Sequence, residues 1–182
     1  MIKRIFDIVF SCLGLILLAP VLVVLAIIIK LDSKGPVLFI QPRVGLNNKD
    51  FNIFKFRTMQ MESDKKGLLT LGNKDSRITK VGYFLRRYKI DEFPQLLNIL
   101  LGDMSFVGPR PELRKYVNYY PKEDLIVLSV RPGITGLASI EFRNEVELLK
   151  AAKDPEALFI ESIIPEKLKL NKVYIVKSSF WF

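Results

Sequence analysis

The chain has 182 residues, with 28 Lys and Arg against 19 Asp and Glu, which gives a formal net charge of +9 at pH 7. Hydrophobic residues make up 49% of the chain, which excludes an intrinsically disordered protein. Its one cysteine, Cys12, excludes a disulfide scaffold, and the lack of histidine excludes Ser-His-Asp catalysis, Cys-His catalysis and His-ligated zinc. If the chain is an enzyme, carboxylates, lysine, arginine or a hard metal must carry its chemistry.

An uncharged apolar segment runs from Ile8 to Ile29. About 20 such residues in a helix cross a hydrocarbon core of about 30 Å. A secretory signal peptide fits less well, because the apolar run is too long and no small-residue cleavage site follows it. A straight span and a helix-break-helix that returns to the same side are the remaining arrangements, and both anchor the chain.

Two features of the segment argue against a straight span. Pro20 removes a backbone hydrogen bond near the middle and so bends or breaks a helix there. Basic residues flank both ends, without the asymmetry that orients a spanning helix. These residues leave re-entry and spanning open. We expect residues 1–34 to form a membrane anchor and residues 35–182 to form one functional unit.

The remainder predicts an α+β fold of mostly short helices with one β-hairpin. The hairpin is expected from the apolar stretches 37–40 and 51–56, which enclose a polar stretch. Residues 60–76 predict a loop with a short helix, and rigid turns are expected at 108–111 and 131–136. Helices are expected over 81–88, 91–101, 112–120, 122–130, 145–153 and 155–163. Several of them are amphipathic and basic enough to lie along a membrane surface.

The positive charge is compatible with nucleic acid, anionic lipid or a phosphorylated ligand. No nucleic-acid-binding motif is evident, and the apolar anchor disfavours a DNA-binding protein, so we expect no nucleic acid partner. A solvated basic face is the ordinary role of any single arginine. Arginines nevertheless recur beside turns, where their planar fork suits phosphate, at Arg57, Arg77, Arg86, Arg87, Arg110, Arg131 and Arg143.

Asp91 and Glu92 form an acidic pair within this basic background. One explanation is structural, since Asp is a good N-cap and Glu in a first turn complements the helix dipole. The other is chemical: one carboxylate attacks phosphorus while its neighbour helps hold a divalent cation. Without histidine, this pair is the natural source of a nucleophile.

The stretch D-S-R-I-T-K-V-G-Y-F-L-R-R-Y-K-I-D-E-F-P-Q-L-L-N-I-L-L-G-D-M-S-F-V-G-P-R-P-E, residues 75–112, closely resembles the bacterial sugar transferases, which are monotopic phosphoglycosyl transferases. K-R-I-F-D at 3–7, F-K-F-R-T-M at 54–59 and R-P-G-I-T-G at 131–136 agree with this resemblance in the same order. The chain is similar in size to the small members that consist of the catalytic domain alone.

The resemblance implies transfer of a phosphosugar from a UDP-sugar to a polyprenol (undecaprenyl) phosphate, with release of UMP. This is the first membrane step of surface glycan assembly, at the cytoplasmic face of the bacterial inner membrane. It implies a ping-pong mechanism in which Asp91 becomes a phosphosugar-aspartyl intermediate and Asp91 with Glu92 holds Mg²⁺. The family's re-entrant helix is broken at a proline that matches Pro20, although Ala19 stands where many members have Ser. Members usually continue with a further apolar segment beyond the position of Phe182.

The resemblance also assigns phosphate and nucleotide contacts to Arg86, Arg110 and Arg143. Lys55, Arg57 and Arg131 are further candidates for the same pocket. A non-catalytic membrane scaffold that binds anionic lipid or a glycan-pathway partner is the alternative, but a scaffold has no use for the acidic pair. Membrane lipid is an expected partner in either case, and an exposed amphipathic surface is compatible with a homodimer.

Overall fold

The computed structural model of the chain describes residues 2–63 and 75–181, and only the backbone of 178–181. Its helices are α1 (Ile2–Asp32), α2 (Lys80–Arg87), α3 (Gln95–Leu101), α4 (Arg114–Val117), α5 (Leu137–Glu141), α6 (Glu145–Ala151), α7 (Pro155–Leu158) and α8 (Ile164–Trp181). Its strands are β1 (Leu38–Val44), β2 (Asp50–Phe56), β3 (Ser105–Val107) and β4 (Gly133–Thr135). Segments of 3-10 helix lie at Leu46–Asn48, Ile90–Glu92 and Lys122–Ser129, and a π-helical turn at Phe159–Ile163 joins α7 to α8. The mixed helix and sheet content agrees with the predicted fold class.

The predicted hairpin is confirmed. Strand β1 pairs antiparallel with β2, with Leu38 opposite Phe56 and Val44 opposite Asp50. The connection contains Asn47 and Asn48 with φ of 54° and 61°, a left-handed conformation that asparagine tolerates better than most residues. The hairpin carries β2 across the centre of the molecule, where it contributes Lys55 to the site described below.

A second sheet consists of the parallel strands β3 and β4, with Ser105 opposite Gly133. The prediction of a rigid turn over 131–136 was therefore wrong in part, because β4 lies inside this stretch. The backbones approach so closely that a Cβ on Gly133 would lie 2.2 Å from the Gly108 nitrogen. Gly108 donates to the Thr135 carbonyl at 2.9 Å, which fixes the start of the loop that carries Arg110.

The expected helix over 91–101 is divided in two. Residues Ile90–Glu92 form a 3-10 turn, and α3 begins only at Gln95. Asp91 is not an N-cap, because Lys89, with φ of 58°, occupies the position before the turn, without a side-chain capping bond. The acidic pair thus lies in the connection between α2 and α3.

The other expected helices are shorter or different in type. The expected helix over 112–120 is reduced to α4, and the one over 122–130 is 3-10 helix. The helix expected over 155–163 begins as α7 and ends in the π-helical turn, which leads into α8. The predicted loop with a short helix at 60–76 falls mostly on residues 64–74, outside the described residues.

Helix α1 packs along the rest of the molecule through one face. Leu15 and Leu18 contact a buried cluster formed by Ile53, Leu96, Ile99 and Met104. Further along the helix, the same face contributes Leu22, Leu25 and the buried Ile29 to a second cluster with Phe56 and Leu85. The positions 15, 18, 22, 25 and 29 recur every three or four residues and therefore share one side of the helix.

The other faces of α1 are apolar and exposed, with Ile16, Leu17 and Leu31 at 64%, 76% and 82% exposure. The helix is long and apolar enough to cross a membrane, and Pro20 lies inside it. This supports a membrane location, while a break at Pro20 stays a prediction.

Residues at both ends of α1 form hydrogen bonds with the folded remainder of the chain. Near its start, Arg4 donates to the carbonyl of Ile99 at 2.6 Å, and the buried Asp7 accepts from Ser105 Oγ at 3.0 Å. After its end, Ser33 O accepts from Arg57 Nη2 at 2.7 Å. The motif K-R-I-F-D thus attaches the beginning of the anchor to α3 and β3.

Candidate active site

Asp91 and Glu92 lie buried where three parts of the chain meet, each with 8% of its surface exposed. Glu92 Oε1 accepts from Lys55 Nζ of β2 at 3.0 Å and from Arg110 Nη2 at 2.5 Å. Arg110 Nη1 lies 3.4 Å from Glu92 Oε2. The hairpin, the 3-10 turn and the loop after β3 are therefore joined at one carboxylate.

These contacts keep Glu92 ionised. Burial alone would raise the pKa of its carboxyl group, but the charges of Arg110 and Lys55 hold that pKa well below its usual range. Burial lowers the pKa of Lys55 to about 8, helped by Arg110 and opposed by Glu92 and Asp91. Glu92 thus serves as the counter-ion that holds two cations beside Asp91.

Asp91 differs from its neighbour in having an oxygen available. Its Oδ1 is buried and has no hydrogen-bond partner among the described residues. Burial raises the pKa of Asp91, while Lys55 acts in the opposite direction. A buried polar atom without a partner costs about 1–3 kcal/mol unless a ligand or water satisfies it. This oxygen is therefore the one in the acidic pair whose bonding capacity the described residues leave unused.

The acidic pair faces a cavity of about 930 Å³. Most of the predicted site residues line this cavity, namely Lys55, Arg57, Arg86, Asp91, Glu92, Arg110 and Arg143. Burial lowers the pKa of Arg86, and the charge of Asp91 opposes that effect. The structure thus brings residues from five parts of the sequence to one cationic cavity.

Two predicted residues have other contacts. Arg131 does not line the cavity; its Nε donates to the Gly102 carbonyl at 2.7 Å, at the end of α3. Arg57 borders the cavity but is only 4% exposed, and its guanidinium is bonded to Ser33 beyond the end of α1. Both contacts hold elements of the fold together.

Sequence reasoning missed a second charged group in the cavity. Lys167 Nζ lies 3.3 Å from Glu112 Oε1 and is also paired with Glu145. Arg43 Nη1 lies 3.8 Å from Glu112 Oε2 and donates to the Pro111 carbonyl at 3.2 Å. Glu112 ends the stretch that carried the resemblance, but no local pattern connects it to Lys167, which lies on α8.

The donor set fits a magnesium ion only together with a substrate. Mg²⁺ is commonly held by one or two carboxylates, with water and substrate phosphate oxygens completing its coordination. Asp91 offers a free oxygen, whereas the oxygens of Glu92 are engaged by Lys55 and Arg110. The described residues contain no group of three acidic or sulfur ligands that would form a closed site.

A long apolar helix joined to a cationic cavity around two carboxylates supports a membrane location and is suited to an anionic ligand. The model of the family described as bacterial sugar transferase matches residues 1–182, and the chain belongs to this family.

Three relatives show how the chain compares with curated proteins. It is 44% identical to UDP-N-acetylgalactosamine-undecaprenyl-phosphate N-acetylgalactosaminephosphotransferase of Aeromonas hydrophila, over 76% of this chain and 34% of that protein. It is 37% identical to UDP-glucose:undecaprenyl-phosphate glucose-1-phosphate transferase of Escherichia coli (strain K12), over 100% of this chain and 38% of that protein. A protein of the same name from Caulobacter vibrioides is 45% identical over 88% of this chain and 62% of its own length. The chain thus spans little more than a third of the first two relatives.

Proposed function

We propose that this chain transfers a phosphosugar from a UDP-sugar to undecaprenyl phosphate and releases UMP. The observation that carries the proposal is the unpaired, buried Oδ1 of Asp91, next to an ionised Glu92 in a cationic cavity. The family and the names of the relatives, which act on UDP-sugars and undecaprenyl phosphate, support it.

In the first step, an oxygen of Asp91 attacks the β-phosphorus of the donor. An O–P bond to the carboxylate forms, the bond from that phosphorus to the bridging oxygen breaks, and UMP leaves with the electron pair. Lys55 and Arg110, fixed by Glu92, and Arg86 offset the charge of the diphosphate. The product is a phosphosugar carried on Asp91.

In the second step, a phosphate oxygen of undecaprenyl phosphate attacks the same phosphorus and displaces Asp91. The carboxylate is regenerated and the sugar leaves as an undecaprenyl diphosphate derivative. Mg²⁺, held by Asp91 and substrate oxygens while Lys55 and Arg110 engage Glu92, would offset further phosphate charge. Because the two substrates use one phosphorus position in turn, the same cationic residues serve both steps.

The contacts of α1 support a re-entrant anchor rather than a separate span. The residues at both of its ends bond to one body, through Arg4 at the start and through Ser33 just beyond the end. A segment broken at Pro20 that dips into one leaflet would keep these contacts at the cytoplasmic face of the inner membrane. The chain would there perform the first membrane step of surface glycan assembly.

Intact-protein mass spectrometry tests the covalent step. Detergent-solubilised protein is incubated with Mg²⁺ and a panel of UDP-sugars, without undecaprenyl phosphate. We expect a mass gain of one phosphosugar that is lost in Asp91→Asn and retained in the control Asp50→Asn, whose side chain is 51% exposed. An adduct that persists in Asp91→Asn would overturn the role of Asp91. A protein that binds lipid but releases no UMP from any donor when undecaprenyl phosphate is present would support the scaffold alternative.

A further inference from the structure

The lining of the cavity falls into two groups that meet at the Lys55–Glu92–Arg110 contacts. One group comes from β1, the end of β2 and the residues that follow it. The other comes from residues 110–120, 134–146 and 159–171, and contains the charged group around Lys167. The proposed reaction uses Arg110 at the meeting point but leaves the charged group around Lys167 without a role.

The second group contains a compact set of largely buried charges. The side chains of Lys167, Glu112 and Glu145 are 12%, 13% and 23% exposed. Lys167 pairs with both carboxylates, and its Nζ lies 4.9 Å from the centre of the Phe159 ring. This lysine fixes two carboxylates, from the loop after β3 and from the start of α6, at the wall of the cavity.

A buried hydroxyl without a partner lies in the same wall. Ser139 Oγ is buried and has no hydrogen-bond partner in the described part of the chain. Asn171, which is 8% exposed, lines the same cavity. Helix α5, which carries Ser139, packs on α8, which carries Asn171. A buried hydroxyl is normally satisfied, so the unpaired Ser139 Oγ beside a cavity indicates a polar ligand.

We propose that this second group forms the subsite for the sugar ring of the donor, with Glu112, Glu145, Ser139 and Asn171 as hydrogen-bond partners of its hydroxyl groups. This inference rests on the proposed function. Carboxylates accept hydrogen bonds from sugar hydroxyls, while a hydroxyl and an amide side chain both donate and accept. The ligand class is a neutral sugar, because Lys167 and Arg43 already pair with Glu112 and Glu145 and leave no spare cation in the charged group around Lys167 for the carboxylate of a uronic acid.

The carboxylates of the subsite are close enough to Arg110, at the reacting centre, to interact with its charge. Burial would lower the pKa of Arg110, but Glu92 first, and then Glu112 and Glu145, raise it. Arg110 bonds to Glu92, and Glu112, two residues further along the chain, pairs with Lys167, so one short segment links the acidic pair to the second group. A sugar attached to a phosphate near Arg110 is in the right place to extend toward Lys167, which acts as a positioning residue for the two carboxylates.

Donor competition tests the subsite in the full chain in detergent with Mg²⁺ and undecaprenyl phosphate. kcat and KM for UMP release are measured with UDP-glucose, UDP-galactose, their N-acetylamino counterparts and UDP-glucuronate, together with inhibition by UMP. The variants are Glu145→Gln, Ser139→Ala and Asn171→Ala. Glu147→Gln is the matched control, because Glu147 is an exposed residue on the same helix as Glu145.

We expect the ratio of kcat/KM between the best and the next donor to change about tenfold in at least Glu145→Gln, while inhibition by UMP stays constant. UDP-glucuronate should be a poor donor for the unaltered chain. In Glu145→Gln its kcat/KM should rise relative to that of the neutral donors. If kcat/KM fell equally for all donors, or if inhibition by UMP weakened along with it, the proposed subsite would be wrong. If the unaltered chain discriminates among donors but every variant keeps its preference, the subsite fails and the proposed function stands. If the unaltered chain uses no donor, both fail.

Discussion

Arg110 binds Glu92 through both terminal nitrogens of its guanidinium group, at 2.5 Å and 3.4 Å from the two carboxylate oxygens. This two-point contact engages Glu92 and leaves its neighbour Asp91 with the unpaired oxygen. The two adjacent residues carry the same functional group, a carboxylate. Their environments differ because Arg110 and Lys55 bond to Glu92 and leave Asp91 Oδ1 unpaired. Under the proposed function, Glu92 organises the surrounding cations and Asp91 is the reactive group.

Glu92→Gln should slow formation of the covalent adduct by about 10²-fold without abolishing it. Glutamine keeps a hydrogen-bond acceptor for Lys55 and Arg110 but removes the charge that balances them, and charge-assisted bonds are about twice as strong as neutral ones. The measurement is the rate of mass gain after mixing with donor. An unchanged rate would show that Glu92 does not organise the cations.

Activity should fall as the pH rises through about 8, the pKa of Lys55 in the folded chain. Below that pH Lys55 is charged and its contact with Glu92 is an ion pair; above it the ammonium loses its proton and one of the two cations is lost. The measurement is the initial rate of UMP release across this pH range. In Lys55→Arg the side chain stays charged, so the fall should move to higher pH. The same alkaline fall in both proteins would mean that another group titrates.

Arg57→Met should lower the free energy of unfolding by about 1–3 kcal/mol, because the carbonyl oxygen of Ser33 would lose the buried guanidinium that donates to it. Ser33→Ala removes only the 2.9 Å contact from Arg57 Nη2 to Ser33 Oγ and should cost about 0.5–1.5 kcal/mol. Unfolding midpoints in detergent measure both changes. If Arg57→Met instead raised the donor KM at an unchanged midpoint, the predicted role of Arg57 in substrate binding would hold.

Arg143→Ala should affect donor binding, whereas Arg131→Ala should affect the stability of the fold. Arg143 is exposed and lines the cavity, so its loss should raise the donor KM about tenfold and leave the unfolding midpoint in place. Arg131 holds the Gly102 carbonyl outside the cavity, so its loss should lower the midpoint with little effect on KM. Steady-state kinetics and thermal unfolding of the two variants give the comparison. The reverse pattern would place Arg131 at the ligand.

Cysteine labelling in intact cells tests the topology of α1. With Cys12→Ser as background, Ile2→Cys and Lys34→Cys place one thiol near each end of the helix. Because the residues at both ends contact the same body, we expect both positions to be shielded from a membrane-impermeant reagent added outside and to react after cell lysis. Labelling of one position from outside would establish a span.

Sequence patterns predicted the structures that form between residues close together in the chain. The alternation in 51–56 indicated a strand, and the hairpin follows from pairing with the stretch just before it. The pairing of β3 with β4 joins segments far apart in sequence, so neither short stretch carried a strand signal by itself. The contact between Glu112 and Lys167 escaped for the same reason.

The role of a buried charged residue was the least predictable feature. Arg57 and Arg110 both lie near turns and both suggested phosphate binding, yet one is bonded to backbone and hydroxyl oxygens and the other to a carboxylate in the cavity. Sequence shows that a guanidinium is present but not which oxygen lies opposite it. The acidic pair was found because its residue types are rare in that basic stretch.

The face of α1 that carries Leu15, Leu18, Leu22, Leu25 and Ile29 is a wall of the hydrophobic core. Deleting residues 1–34 to obtain a soluble enzyme would therefore uncover Ile53, Phe56, Leu85 and Ile99, which are at most 4% exposed in the intact chain. Such a fragment should aggregate instead of behaving as a free domain. The segment that we expect to attach this protein to lipid is also one against which its core packs.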